Sequence, residues 1–307
     1  FKLCEDLYAY IQPDGSWGLS NTGLITGRDS ALLIDTLYDY KHTSEMLQEM
    51  EGVLSKNSSI EYVINTHGNG DHWYGNSLIN SRAQIISTDR AFIEMKKLPP
   101  GKMNLLMKLS FLLGKGGKYA KESFKEFRYT GISPRYPDRK FSGETELSIG
   151  DLRIRLIELG PAHTQGDAIV YIPDKGVVFT GDLLFINTTP IAWESPLSNT
   201  IKACDYLLDI EADVYVPGHG PVTDKSGVQS VKNYFEYIYD KGKKLLMEGY
   251  SIIEAARKID LKEYNSWIDK ERLAANLYCI YKELHPEEKG LSPISVFKLM
   301  KEFKDTM

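Results

Sequence analysis

Cysteine is scarce in this chain. Only Cys4, Cys204 and Cys279 occur among 307 residues, an odd number at wide spacings. That excludes a disulfide framework and a C-x-x-C metal knuckle, and it favours a reducing, cytoplasmic location. Long apolar runs are also missing. No stretch approaches the ~20 residues of a membrane span, and no signal peptide is visible. Positive charge is in slight deficit, 37 − 42 = −5, with no basic stripe of the kind that binds nucleic acid. What is present suits a soluble globular protein: 42% hydrophobic and 26% charged residues, enough for a sizeable core in one large domain or one domain with an appendage.

The first part reads as short strands followed by alternating strands and helices. "GLSNTGLITG" (18–27) and "ALLIDT" (31–36) look like adjacent strands, and 42–54 has helical spacing. "EYVINT" and "AQIIST" are buried strands, the second leading into a helix over about 89–97. The segment from about 98 to 140 opens with Pro99-Pro100-Gly101 and reads as a helical insertion. It carries a Met/Leu-rich stretch (103–114) and then a lysine-rich one. Strand signals resume over 145–159, where Leu152, Ile154 and Leu156 alternate with Arg153 and Arg155. "AIVYIPDKGVVFTGD" reads as a hairpin, "ACDYLLDI" as helix and "DVYVPGHG" as strand running into a loop. From about Thr223 the pattern is helical. Two strand-rich regions, roughly 1–97 and 140–223, point to two sheets. The expected organisation is a domain over 1–223 and a helical extension, 224–307, packed on it.

Histidine is used sparingly, six in all, yet two fall in "HGNGDH" (67–72). His163 follows in "ELGPAHTQGD", Asp182 closes "VFTGD" and His219 lies in "VPGHG". Each ends a strand-like run, the usual place for functional groups on a rigid scaffold. Glycines 68, 70, 166, 181, 218 and 220 flank these positions, as tight turns near a cation require. Zinc takes imidazole nitrogen and carboxylate oxygen, with a position left for water at catalytic sites. His67, Asp71, His72, His163, Asp182 and His219 would supply six such groups, enough for two metals sharing a carboxylate. The remaining histidines, His42 and His285, are expected to be exposed.

This set resembles the signature of the metallo-β-lactamase fold superfamily, HxHxDH followed by a downstream His, a bridging Asp and a last His, over roughly residues 1–223. The resemblance implies an α/β protein, an αββα sandwich with metals at one edge of two sheets. It further implies His67 and His163 in a first metal site, Asp71, His72 and His219 in a second, and Asp182 between them. It implies a metal-dependent hydrolase binding one or two Zn2+ ions, with iron or manganese as substitutes. Water bound to zinc reaches a pKa of about 7, and the resulting hydroxide would attack a small ester, thioester, lactone or related substrate. Asp71 would orient this nucleophile and pass its proton to the leaving group.

The departure is Asn69, where the signature has its second histidine. A neutral amide is a poorer zinc donor than imidazole. Three outcomes stand open: weak ligation through its carbonyl oxygen, a hydrogen bond to a bridging water or developing oxyanion, or an empty first site. Asn69 therefore joins Asp71 as a candidate catalytic residue. Asp167 is either a partner for a ligating histidine or a turn carboxylate.

Trp73, Tyr74, Phe185 and Trp193 are candidates to line a substrate pocket, with packing as the alternative. The 103–113 helix is expected to pack in the core or in a homodimer, or else to cap an apolar substrate. Lysines 115, 118, 121 and 125 read as a solvated face. Tyrosines 234, 237 and 239 are expected to pack the C-terminal helices on the sandwich. Competing readings are a phosphodiesterase or nuclease, disfavoured by the acidic balance, and an iron-containing redox protein, which would carry a carboxylate at position 69. A third is a non-catalytic metal-binding protein.

Overall fold

Alternation of side chains along each strand decides which face meets which layer. In β4 (Ser30–Ile34), Leu32 and Ile34 point into the space between two sheets, while Ala31 and Leu33 face helices outside. The computed structural model that shows this describes residues 1–55, 58–193 and 195–307.

The first sheet has seven strands in sequential order: β1 (Lys2–Cys4), β2 (Leu7–Tyr10), β3 (Thr22–Thr26), β4, β5 (Ser59–Ile64), β6 (Gln84–Thr88) and β7 (Arg139–Phe141). It is antiparallel through β4 and parallel from β4 to β7. The second sheet has the order β12–β11–β10–β9–β8, formed by β8 (Glu144–Ile149), β9 (Leu152–Glu158), β10 (Ala168–Ile172), β11 (Val177–Phe185) and β12 (Val214–His219). Only its β11–β12 pair is parallel. Side chains such as Ile25, Leu32, Ile64 and Ile86 from the first sheet meet Ile154, Leu156, Val170 and Phe179 from the second.

Helices cover both outer faces. Met46 and Met50 of α1 (Tyr40–Glu51) pack on Leu24, Leu33, Val63 and Ile85. The second sheet's outer face, Ile169, Tyr171, Val178 and Tyr215, is covered by α5 (Leu197–Asp209), α6 (Lys225–Met247), α7 (Ile252–Lys258), α8 (Arg272–Leu284) and α9 (Pro293–Lys304) in one large cluster. Tyr234 is fully buried within it. The architecture is the expected αββα sandwich with a helical C-terminal region. Among the described residues no helix is long and apolar enough to cross a membrane.

Three local differences from expectation have physical reasons. The 145–159 run is two strands, because Gly150 adopts φ +56° and turns the chain so that Ile149 pairs with Leu152. The 18–27 run becomes strand only at Thr22. Before it, Ser20 and Asn21 spend their side chains on Asp71 O (2.6 Å), Pro217 O (2.9 Å) and Gly220 O (2.8 Å). The 98–140 segment is helical over α3 (Pro100–Leu109) and α4 (Gly114–Ser123), reached from α2 (Asp89–Lys97). Met103 is buried as a core residue, but Leu105, Leu109 and Phe111–Leu113 are exposed, so core packing describes one face only.

Candidate metal centre

Strand ends of both sheets deliver the candidate donors to one place. His67 follows β5, and a short 3-10 turn, Gly70–His72, presents Asp71 and His72. His163 lies in the loop between β9 and β10, Asp182 within β11 and His219 at the end of β12. All six are buried. His67, His163 and Asp182 form one group whose donor atoms lie within 4.8 Å of one another, and Asp71, His72 and His219 form a second.

Asp182 links the groups. Its Oδ1 lies 3.1 Å from His72 Nε2, and its Oδ2 lies 3.2, 3.4 and 3.7 Å from Nε2 of His163, His219 and His67. His219 Nε2 is also 3.5 Å from Asp71 Oδ2. Such an approach needs Gly218. A Cβ there would sit 2.0 Å from Asp182 Oδ1 and 2.9 Å from Asp182 N.

The outer ring nitrogens fix the tautomers. His163 Nδ1 donates to Ile191 O (2.6 Å), a carbonyl that only accepts. His72 Nδ1 donates to Asp35 Oδ2 (2.9 Å). Thr66 gives its hydroxyl proton to Asp35 Oδ2 (2.8 Å) and so accepts from His67 Nδ1 (3.1 Å). These assignments turn the Nε2 atoms of three rings towards a carboxylate, and that of His163 also accepts from Asn69 Nδ2 (2.9 Å). Nε2 of His67 and His72 and Oδ1 of Asp182 are buried and have no hydrogen-bond partner. Lone pair facing lone pair in a buried site is repulsive unless positive charge lies between them. The residues therefore fit a divalent cation: a nitrogen and oxygen donor set, pre-oriented, with orphaned atoms converging.

Charge in the site follows the same logic. Burial pushes the Asp182 carboxyl up, but His219, His72, His163 and His67 together hold it well below the usual range. Burial lowers His67, and the neighbouring His72 lowers it further, to well below an ordinary histidine. His72 goes the other way. Burial alone would lower it, but Asp182, Asp35 and Asp71 raise it well above the ordinary value. His219 is likewise pushed up to about 9, against burial, by Asp182 and Asp71. The carboxylates that raise His72 and His219 are the same groups that would hold a cation in place of a proton.

Asn69 lies inside this cluster, its Nδ2 2.9 Å from His163 Nε2. Asp167 does not bond a ring. Its carboxylate accepts from Ala162 N (3.1 Å), Thr164 N (2.9 Å) and Thr164 Oγ1 (2.7 Å) and builds the turn that carries His163. Trp73 and Tyr74 are fully buried. Trp73 Nε1 donates to Gly68 O (3.1 Å), and Tyr74 OH donates to Leu98 O (2.8 Å). Both side chains therefore brace the loop from inside. Phe185 is buried and stacks on His219, ring centroids 4.9 Å apart and planes within 2°. Trp193 is half-buried between Trp17 and Phe297, and its backbone N donates to His163 O (3.0 Å). His42 is not freely exposed. Its ring meets Phe127 and Asp39 (2.7 Å) because Asp39 caps α1. His285 is half-exposed.

Two residues escape a reading of the sequence. Asp35, at the end of β4 with φ +60°, accepts from Thr66 N (2.7 Å), Thr66 Oγ1 and His72 Nδ1. The available signal is an aspartate closing the apolar run "ALLIDT". Arg272 is 1% exposed and lies over Trp17 (4.2 Å) and Phe185 (5.4 Å). It pairs with Asp269 (3.0 Å) and donates to Thr189 O (2.9 Å). It places the start of α8 behind the ring that stacks on His219. No local pattern announces it.

Comparison with known proteins identifies the family and the fold. A family model described as the metallo-beta-lactamase superfamily matches residues 15–219. A beta-lactamase-like protein 2 homolog from Caenorhabditis elegans is 26% identical over 219 residues, 71% of this chain and 61% of that protein. The chain thus matches less than two thirds of that relative's length. A metallo-beta-lactamase family protein from Thermus thermophilus superposes with a TM-score of 0.68 at 19% identity, covering 95% of this chain and 98% of that one. The stereoselective inverting sec-alkylsulfatase Pisa1 from Pseudomonas sp. does so with 0.70 at 14% identity, over 92% and 49% of the two chains. At these identities the structural likeness concerns the fold.

Proposed function

This chain belongs to the metallo-β-lactamase superfamily, and on that premise we propose that it is a metal-dependent hydrolase of a small ester, thioester, lactone or related molecule. The observation that carries the reading is Asp182, whose two oxygens lie 3.1 to 3.7 Å from the Nε2 atoms of four buried histidines. His67, His163 and Asp182 would hold one ion. Asp71, His72 and His219 would hold another, with Asp182 shared. Zinc is the cation proposed, although the nitrogen and oxygen donors also suit iron or manganese.

When bound, such a cation supplies Lewis acidity and an acidified water nucleophile. The chain supplies the rest. Asp71 is the least buried of the six, at 9% exposed, and its Oδ2 can accept the proton of an attacking water and release it to the leaving group. Asn69 Nδ2 is a neutral donor at the cluster, suited to a developing oxyanion. Asp35, Thr66 and Ile191 O hold the three rings in fixed tautomers, so no reorientation is needed during the reaction. Phe185 covers one face of His219 and keeps water from it. Of the four aromatic pocket candidates Trp193 is the half-buried one, and it is proposed to contact substrate.

The test combines metal analysis with a panel of chromogenic esters, thioesters, lactones and phosphodiesters. The expected result is zinc bound by the purified chain and hydrolysis of a carbonyl substrate. Chelation should abolish that hydrolysis, and Asp182→Ala should remove metal and activity together. Full activity of Asp182→Ala after chelation would overturn the proposal, and preferential hydrolysis of phosphodiesters would reassign the substrate class.

A further inference from the structure

The α3–α4 hairpin carries a surface that the candidate metal centre does not use. Its inner face is packed. Met103, Ser110, Tyr119 and Ala120 are buried, and α4 approaches α9 so closely that a Cβ at Gly116 would lie 2.1 Å from Ile294 O. Its outer face is apolar. Leu105, Leu109, Phe111, Leu112 and Leu113 are 56, 41, 62, 67 and 39% exposed. Five large apolar side chains thus stand in water within nine residues. Solitary exposed apolar residues need no explanation, but a contiguous group at the tip of a well-packed hairpin does.

Charge separates the available occupants. Residues 98–125 contain six lysines (102, 108, 115, 118, 121 and 125) and one acidic residue, Glu122. The segment is therefore 6 − 1 = +5 in a chain of net −5, leaving −5 − 5 = −10 on the rest. All six lysines are exposed, and Lys115 acts, after Lys301, to lower the Asp305 carboxyl at the end of α9. A second copy docking by two-fold symmetry would set +5 against +5. An anionic lipid surface meets both features, because it neutralises the lysines and takes up the apolar tip.

We propose that the α3–α4 hairpin docks peripherally on an anionic phospholipid bilayer, with Phe111 and Leu112 entering the headgroup boundary and the lysines facing lipid phosphates. Met103 and Met107 on the inner side join the clusters around Trp73 and Trp193. A docked hairpin thereby shares its apolar packing with the aromatic residues that neighbour the candidate donors His72 and His163.

The experiment is co-sedimentation of the 307-residue chain with phosphatidylcholine vesicles, with and without phosphatidylglycerol, at low and high salt. Binding is expected only with phosphatidylglycerol and should weaken as salt rises. The double variant Phe111→Ser/Leu112→Ser should lower partitioning about tenfold or more, given the apolar area it removes. The variant Lys115→Glu/Lys118→Glu should abolish the preference for anionic vesicles. Both pairs are exposed, and circular dichroism should show wild-type folding. Absence of vesicle binding, or equal binding to pure phosphatidylcholine, overturns the proposal. So does a dimer in sedimentation velocity that the Phe111→Ser/Leu112→Ser change dissolves.

Discussion

The Asn69 side-chain amide donates to His163 Nε2 across 2.9 Å, and because His163 Nδ1 gives its proton to Ile191 O, that contact occupies the ring's one lone pair. The residue that departs from the family signature would thus compete with a bound cation for His163. The group of His67, His163 and Asp182 should consequently be the weaker of the two, and Asp71, His72 and His219 the stronger. Asn69→His would replace the competing N–H with an imidazole donor. Metal content measured under limiting zinc should rise, and affinity at the weaker position should increase about tenfold or more. Unchanged stoichiometry and chelator resistance would show that Asn69 does not limit that position.

Asp35 orients His72 from behind while accepting from both Thr66 donors. Burial pushes its carboxyl up, and the adjacent His72 opposes that rise. Asp35→Ala should weaken metal binding ~10–100-fold through loss of ring orientation. It should also cost ~1–3 kcal/mol of stability, because the Thr66 N–H loses its buried acceptor. A chelator competition and a thermal melt read the two effects separately. Wild-type metal affinity in this variant would remove Asp35 from the site.

Gly218 is needed for the close approach of β12 to Asp182. A Cβ there meets both the carboxylate and backbone, so Gly218→Ala has no flexible neighbour to push aside. The expected outcome is ~1–3 kcal/mol of destabilisation from overpacking together with a loss of bound metal. Retention of both metal and melting temperature would mean that Asp182 can rotate away without consequence.

His42 and Asp39 offer a pH signature outside the six candidate donors. The hydrogen bond to Asp39 raises His42, against an opposing effect of burial. Burial would raise Asp39, but bonds from the His42 ring, His42 N and Arg128 N leave it lowered. A raised histidine contributes stability that is complete below its unfolded pKa, about 6.5, and is lost as pH climbs through the folded value. A lowered aspartate contributes above its unfolded pKa, about 3.9, and loses that contribution as pH falls through the folded value. The pair is therefore fully effective between about 4 and 6.5. The melting-temperature difference between wild type and His42→Gln should be largest there and shrink towards pH 9. A difference that grows above pH 8 would contradict this linkage.

How much the sequence reveals depends on the range over which each residue acts. "HGNGDH", "TGD" and "PGHG" announce their chemistry because each donor has a glycine within two residues of it in the sequence, although Asp182 lies within β11 rather than after it. The two sheets are visible as two strand-rich regions of short apolar runs bounded by turn residues, with period-two alternation in the 145–159 run. The 145–159 run reads as continuous because the single Gly150 that splits it weighs little beside the apolar residues on either side. Asp35 escapes notice because a carboxylate at the end of an apolar strand looks like an ordinary strand terminus until His72, 37 positions later, is brought against it. His42 reads as a surface residue because nothing local shows that the Phe127 ring covers it.

The amino-acid order by itself determined which side chains could donate to a cation, and the alternation that sorts strands into layers, since both are properties of single residues and their nearest neighbours. Tertiary structure alone decided the rest. It joined both donor groups through one carboxylate, set the Asn69 amide on the His163 lone pair and placed Arg272 behind Phe185. It also turned the apolar tip of the 98–125 segment outward. Each of these is a contact between distant positions, fixed by how the two sheets and their helices pack, and distant packing leaves no periodic trace along the chain.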